Sequence, residues 1–498
     1  MIVCKKRSYF LLFICVLLIC CQNIYGQKLT VLTGYAEKLK NTDSITITLD
    51  DGGNADYHKD RIKVPLTDGR FFFKKTLTHP AMVVTPFNSG GYSYIMEPGD
   101  SINIFIDENN SLAFSGRGSL KFRIIEDAKI INDSVRLPPN PYFTSCDSIG
   151  DYLAMCHWVD TVQIKRLAFL ETYKDSISSN AFLLMQAALI TQAESYRLRK
   201  MQSLMAAVHF FKTIKVSKEE LGDLYDSTVE RSAFRNIIAR HDDISAGWYA
   251  TELALMYLPT KNWRDNNFSE TSFEAIGDEY KEAGMLFNGL LREKIISLRL
   301  KFWLGNRAIG DRFVDLQNCV KDYLSKSDYP EYKSWINGIY EKAVKVAKGN
   351  RAPGFSLYDH NGELVSLEDL KGKVILLDFW FTGCGPCAGL VPVMSKIENA
   401  FNNNPDVKLV NVSVDEDLGK WKKSLIERKY TTGSGICLNI GKTSTVNDYN
   451  VHSFPSVFLI DKGGYIVSIS PPDARPSNNG EEMIEQINKL LKPAEHHH

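Results

Sequence analysis

Val374-Ile375-Leu376-Leu377-Asp378-Phe379-Trp380-Phe381-Thr382-Gly383-Cys384-Gly385-Pro386-Cys387 decides how the last third of the chain is read. The unbroken apolar run Val374 to Leu377 predicts a central strand covered on both faces. Leu390, Met394, Ile397 and Phe401 then recur at helical spacing, so two cysteines stand between a strand and a helix. A thiolate is the nucleophile in sulfur chemistry, and a free cysteine ionises near pKa ~8.5. At a helix start, unpaired N–H groups and the positive dipole end favour the thiolate, which singles out Cys384 as the attacking group. Cys387 lies one turn along, tucked behind, where it can resolve a mixed disulfide held by Cys384. Pro386 suits the first helical turn, where its missing N–H leaves nothing unpaired.

Downstream, Val410, Val412 and Val414 alternate as a strand, and a helix is expected around Leu418–Tyr430. Phe454-Pro455 precedes a strand at Val457–Ile460, a Lys462-Gly463-Gly464 turn, and a partner strand at Ile466, Val467 and Ile469. A closing helix carries Ile484, Ile487 and Leu491. This α/β segment is entered at Gly349, Pro353 and Gly354 and is assigned residues 349–493.

Working upstream, residues 119–348 have a helical texture, with no proline between Pro141 and Pro259. Phe287, Leu291, Ile295, Leu298 and Phe302 form one expected apolar helix face. His157 and His209 are lone histidines read as structural. Residues 27–118 read as β: Ile45, Ile47 and Leu49 alternate, as do Ile102, Ile104 and Ile106, between turns such as Thr67-Asp68-Gly69 and Glu97-Pro98-Gly99-Asp100. A β-sandwich-like domain is expected there. The acidic turn at Asp50 and Asp51 reads as a solvated turn rather than a cation site. The fold class is thus multidomain: an N-terminal all-β domain, a central α-helical region and a C-terminal α/β domain.

Lys5, Lys6 and Arg7 precede an apolar run from Tyr9 to Cys21, the length of a signal-peptide core and short for a membrane span. Residues 1–26 are read as a signal peptide ending at Gly26. The rival reading is a lipoprotein acylated at Cys20 or Cys21, the only route expected to membrane association. Residues 494–498, with His496 to His498, read as a tag remnant. Export places the chain in the periplasm or cell envelope of a bacterium and leaves Cys146, Cys156, Cys319, Cys384, Cys387 and Cys437. Cys146 and Cys156 are close enough in sequence to pair; separate buried thiols are the alternative. The 498 residues carry 59 basic and 59 acidic side chains, a balance that argues against a nucleic-acid partner.

The residues resemble the thioredoxin superfamily, and more narrowly the exported TlpA/ResA-like thiol–disulfide oxidoreductases. The matching text is Ala352-Pro353-Gly354-Phe355-Ser356-Leu357, Leu370-Lys371-Gly372-Lys373, the stretch Asp378 to Cys387, and Phe454-Pro455. The β segment is similar to the uncharacterised domain often found ahead of such reductases. The resemblance implies a thioredoxin-like fold, reduction of protein disulfides through Cys384 and Cys387, and no cofactor beyond that redox-active pair. It implies protein thiol or disulfide substrates and a membrane thiol-transporting electron donor. Pro455 is implied as a cis-proline shaping the partner groove, with Trp380, Gly385, Pro386 and Phe454 as its companions in substrate binding. Asp378, six residues before Cys384, takes the position of the buried carboxylate of thioredoxins. Burial would raise its pKa and suit it to take the proton of Cys387. Two positions depart from the pattern: Gly383 stands where Trp is usual, and Leu390 where some members carry a carboxylate.

Three other functions compete. A peroxiredoxin would need a Pro-x-x-x-Thr-x-x-Cys site, and the text before Cys384 lacks that proline. A zinc module would need a second ligand pair. An envelope binding protein would place the main role in the β and helical domains, with redox secondary.

Overall fold

The computed structural model describes residues 28–50, 61–87, 93–138, 145–209, 212–230, 248–266, 268, 276–305, 313–432, 435–469 and 480–492. The signal peptide expected over 1–26, Cys20 and Cys21, Asp51, and the tag remnant at 494–498 lie outside these residues. The chain forms two compact units, residues 1–272 with 281–295 and residues 273–280 with 296–498.

The first unit opens with strands β1 Lys28–Ala36, β2 Ser44–Asp50, β3 Arg61–Thr67, β4 Arg70–Leu77, β5 Ala81–Val84, β6 Tyr94–Met96, β7 Ser101–Ile106 and β8 Leu112–Arg117. Their order is β6-β5-β2-β3-β4-β1-β7-β8. β3 turns the corner of the sheet: Arg61 to Pro65 pair with β2, while Leu66 and Thr67 pair with β4. The alternation read from sequence points inward, with Ile45, Ile47, Leu49, Ile102, Ile104 and Ile106 all buried. The core they enter is closed by helices rather than by strands alone. Phe122 and Ile125 come from α1 Ser119–Asp133, and Leu170 from α2 Ile149–Glu171. Phe182, Met185 and Leu189 come from α3 Ser179–His209. Asp50 ends β2 in an ion pair with Lys294 at 2.9 Å, not in a solvated turn.

Helices α4 Lys218–Tyr225, α5 Trp248–Asp265, α6 Ile276–Leu286 and α7 Gly289–Gly305 follow. The apolar face expected through Phe302 is only partly right. Leu291 and Ile295 are buried, but Phe302 is 50% exposed, and Leu300 and Trp303 are buried instead. The reason is that α7 is buried over much of its girth, Glu293 and Ser297 included, so a single-stripe reading fails. His157 is exposed, and the His209 ring sits edge-on to Trp263 at 5.6 Å.

After α8 Phe313–Lys326 and α9 Pro330–Lys345, the second unit holds the α/β segment. It runs β9 Ser356–Asp359, β10 Leu364–Ser366, β11 Val374–Trp380, α10 Gly385–Phe401, β12 Val407–Ser413, α11 Leu418–Glu427, β13 Ile436–Asn439, α12 Thr445–Asp448, β14 Ser456–Ile460, β15 Ile466–Ser468 and α13 Glu481–Leu491. The sheet order is β10-β9-β13-β12-β11-β14-β15, with β11 parallel to β12 and antiparallel to β14. All seven β11 residues are buried, as a strand covered on both faces must be. Val374 and Leu376 face α10 and α13, in a core with Leu390, Met394, Ile397 and Ile487. Ile375, Leu377 and Phe379 face the opposite core, with Phe355, Tyr449 and Phe458. Tyr449 Oη donates to Pro353 O at 2.7 Å, which ties the entry segment to that core.

Ile397 is 0% exposed at the centre of the α10 layer. Ile397→Ala should lower stability by about 2–5 kcal/mol through lost burial and a residual cavity. Urea unfolding checks this as a lower midpoint at unchanged slope.

Candidate active site

The site grows from the end of β11. After Trp380 the chain turns through Phe381, Thr382 and Gly383, and the Cys384 N–H donates to Phe381 O at 3.2 Å. Gly383 has φ +107°, a region L side chains rarely adopt. A tryptophan there would be strained in this loop, which gives the departure at Gly383 a backbone reason.

Cys384 is the N-cap of α10, and its Sγ accepts the Cys387 N–H at 3.1 Å. This is an orphan donor of the helix start, and the sulfur takes the place a capping oxygen usually holds. Gly385 and Pro386 are the first helical residues, as the proline predicted. Cys384 and Cys387 are joined as a disulfide, with Cα atoms 5.3 Å apart. Cys387 is tucked in as expected, but Cys384 does not stand exposed ahead of it. The two are 2% and 1% exposed. The cause is the cap itself, which folds the first sulfur back over the helix end, and the aromatic packing around it.

That packing comes from three directions. Trp380 from β11 and Trp421 from α11 bury the disulfide, with Leu425, Tyr430 and Phe454 packed against them. Trp380 stacks on Tyr430 at 6.3 Å. Trp380 was expected to touch a partner, but it is 0% exposed and forms the floor of the site instead. α11 is set by Asp417, whose carboxylate accepts the Gly419 and Lys420 N–H groups at 2.8 and 3.0 Å. The surface left around the disulfide is Phe381, Gly383, Gly385 and Pro386, with Phe454 and Pro455 half-buried. Phe381 meets Phe454 edge-to-face at 5.3 Å, an apolar lip that the sequence reading missed. The signal was the aromatic Phe379-Trp380-Phe381 run, whose last member falls past the strand end. The Phe454–Pro455 bond is cis.

Asp378 is 4% exposed on β11. Strand alternation puts it on the face of Leu376 and Trp380, the face covered by α10. Leu376 belongs to the same core as Leu390, and Trp380 to the same cluster as Cys387, with Asp378 between Leu376 and Trp380 along the strand. Leu390 is a core residue, 4% exposed.

Cys146, Cys156, Cys319 and Cys437 are all buried, and Cys146 and Cys156 are separate thiols rather than a disulfide. Burial pushes Cys437 up to about 11 and raises Cys146 and Cys156 as well. At pH 8 Cys437, its thiol pushed up to about 11, has almost no thiolate. Of these cysteines, none should react quickly with a maleimide in the folded, oxidised chain, and all four should react after denaturation. Counting labels by mass checks this. Among the described residues, no group of three or more His, Cys, Asp or Glu side chains is placed to hold a metal ion.

The Redoxin family profile matches residues 347–484. The thioredoxin-like protein YneN of Bacillus subtilis is 35% identical over 142 residues, 28% of this chain and 81% of that protein. The thiol-disulfide oxidoreductase ResA of the same organism is 30% identical over 159 residues, 32% of this chain and 84% of that protein. The crystallised thioredoxin domain of a thiol-disulfide oxidoreductase from Bacteroides vulgatus is 30% identical, covering 29% of this chain and 99% of that one, with TM-score 0.26. With the cysteine pair capping its helix and these relatives matched over most of their length, the chain belongs to the thioredoxin-like thiol–disulfide oxidoreductases.

Proposed function

We propose that this enzyme is an exported reductant of protein disulfides, working through a mixed disulfide at Cys384. The observation that carries the reading is the Cys384–Cys387 disulfide at the N-terminus of α10. In the reduced enzyme, the Cys384 thiolate attacks a sulfur of the partner's disulfide. A Cys384–partner bond forms, and the partner's other sulfur leaves as a thiolate. Cys387 then loses its proton, with Asp378 as the acceptor, and attacks the Cys384 sulfur. The Cys384–Cys387 bond forms, and the second partner sulfur leaves as a thiolate. Two electrons have moved to the partner. A dithiol donor must restore the pair, by family resemblance a membrane thiol transporter, and no other cofactor is required.

Gly385, Pro386, Phe454 and Pro455 form the partner-facing side in this reading, joined by Phe381. The catalytic unit is residues 349–493, preceded by a β domain over 27–118 and a helical region over 119–348. Location in the periplasm or envelope rests on the leader read over residues 1–26. Among the described residues, no helix is long and apolar enough to cross a membrane.

Direction follows from the surroundings of Cys384. A cation beside the first cysteine stabilises the thiolate, favours the reduced form and makes a strong oxidant. The Gly385-Pro386 pair carries no charge. The thiolate then has mainly the helix terminus to help it. Equilibration against a glutathione or dithiothreitol series should give a potential nearer roughly −270 mV than the about −120 mV of strong oxidants. A value above about −150 mV, near the strong-oxidant end of that scale, would make the enzyme an oxidase.

A further inference from the structure

A single buried carboxylate anchors the loop that delivers Cys384. Asp415 lies two residues beyond the end of β12 and is 8% exposed. Both of its oxygens accept the Thr382 N–H, each at 3.1 Å. Oδ2 also accepts the Thr382 hydroxyl at 2.7 Å and the Ser413 hydroxyl at 2.8 Å. Asp415 is itself held. Its N–H donates to Ser413 Oγ at 3.1 Å, and its carbonyl accepts Asn439 Nδ2 at 2.9 Å. Val414 N–H donates to Trp380 O at 2.9 Å. The segment after β12 is therefore tied to the segment after β11 on both sides of Phe381, and Cys384 follows Thr382 by two residues.

Every partner of the carboxylate is a neutral donor, which is a donor set a carboxylate accepts in full. Among the described residues it forms no ion pair with Lys, Arg or His. A carboxylate so placed has two consequences. It holds the approach to the nucleophile rigid, and it opposes the negative charge that appears on Cys384 when the disulfide is reduced.

We propose that Asp415 is a positioning residue for the redox pair, which fixes the Thr382–Cys384 approach and biases the pair toward its disulfide form. The proposal rests on the reading of Cys384 as the attacking thiol. It explains how a cysteine at a helix terminus, where the dipole favours the thiolate, can still serve a reductant. Among the described residues packed around the cysteines, Tyr430 after α11 is ionisable, with Lys429 Nζ 5.5 Å from its ring centre, and Asp378 shares the α10 face of β11 with Trp380. Trp421 and Leu425 of α11 and Phe454 carry no charge.

The test uses the full chain and two readouts. Asp415→Asn keeps the size of the side chain and removes its charge. Its Cys384–Cys387 equilibrium with glutathione should move about tenfold toward the reduced form, equivalent to roughly 30 mV. Thr382→Val keeps the charge and removes one anchor. It should reduce a small aromatic disulfide with kcat about three- to tenfold lower and KM little changed, since misplacing a reacting group slows chemistry rather than binding. Thr382→Ser should restore the rate. An Asp415→Asn equilibrium within about twofold of the unsubstituted chain would overturn the proposal. If Asp415→Asn does not fold, equal kcat for the Val and Ser variants at Thr382 would overturn it. Failure of the unsubstituted chain to reduce protein disulfides would instead strike the functional reading, because the glutathione equilibrium needs no protein partner.

Discussion

A Cys384→Ser chain is expected to lose disulfide reduction by about 10³-fold or more, because the hydroxyl cannot supply the nucleophile that a thiolate does. Cys387→Ser should behave differently. It keeps the first step and lacks the group that resolves it, so it should stop at a covalent complex with its partner. Cys384 Sγ accepts the Cys387 N–H rather than anything on the Cys387 side chain, so the cap survives that substitution. Non-reducing electrophoresis of each variant with an excess of a disulfide-bonded protein reads the difference. A long-lived adduct is expected with Cys387→Ser and none with Cys384→Ser. The reverse pattern would exchange the two roles.

Asp378→Asn should slow release of that mixed disulfide by about tenfold or more, the contribution of a positioned general base starting near ~10²-fold. The carboxylate is 4% exposed and lies on the α10 face of β11, between Leu376 and Trp380. Asparagine preserves the shape and can take no proton. The effect should therefore fall on the second step, leaving attack by Cys384 nearly unchanged. Single-turnover kinetics from pH 6 to 9 separate the two steps. Equal release rates for the two chains across that range would leave Asp378 a structural residue.

Much of the C-terminal fold was legible because periodicity and burial agree there. Val374 to Leu377 read as a covered strand and is one, and Leu390, Met394, Ile397 and Phe401 all turn to the sheet. β13 was not read: it is four residues, Ile436–Asn439, too short to display a period. The helix expected to reach Tyr430 ends at Glu427, because Arg428 adopts a left-handed conformation, φ 51°, at the C-cap. α7 misled because a helix buried on several sides has no single apolar stripe.

At the site, the cysteine pair and its helix were written in the spacing. The burial of Cys384 was not, because it depends on Trp421 and Phe454, which are remote in sequence. Asp415 was invisible for the same reason: 33 residues separate it from Thr382, and only the pairing of β11 with β12 brings them together.

Central to the account is the order of the two sulfurs, Cys384 attacking and Cys387 resolving. Reduce the full chain, remove the reductant, and expose it at neutral pH to a limiting alkylating agent. Then follow the label by peptide mapping over time. Cys384 should be modified first, with Cys387 trailing. Faster labelling at Cys387 would contradict the account.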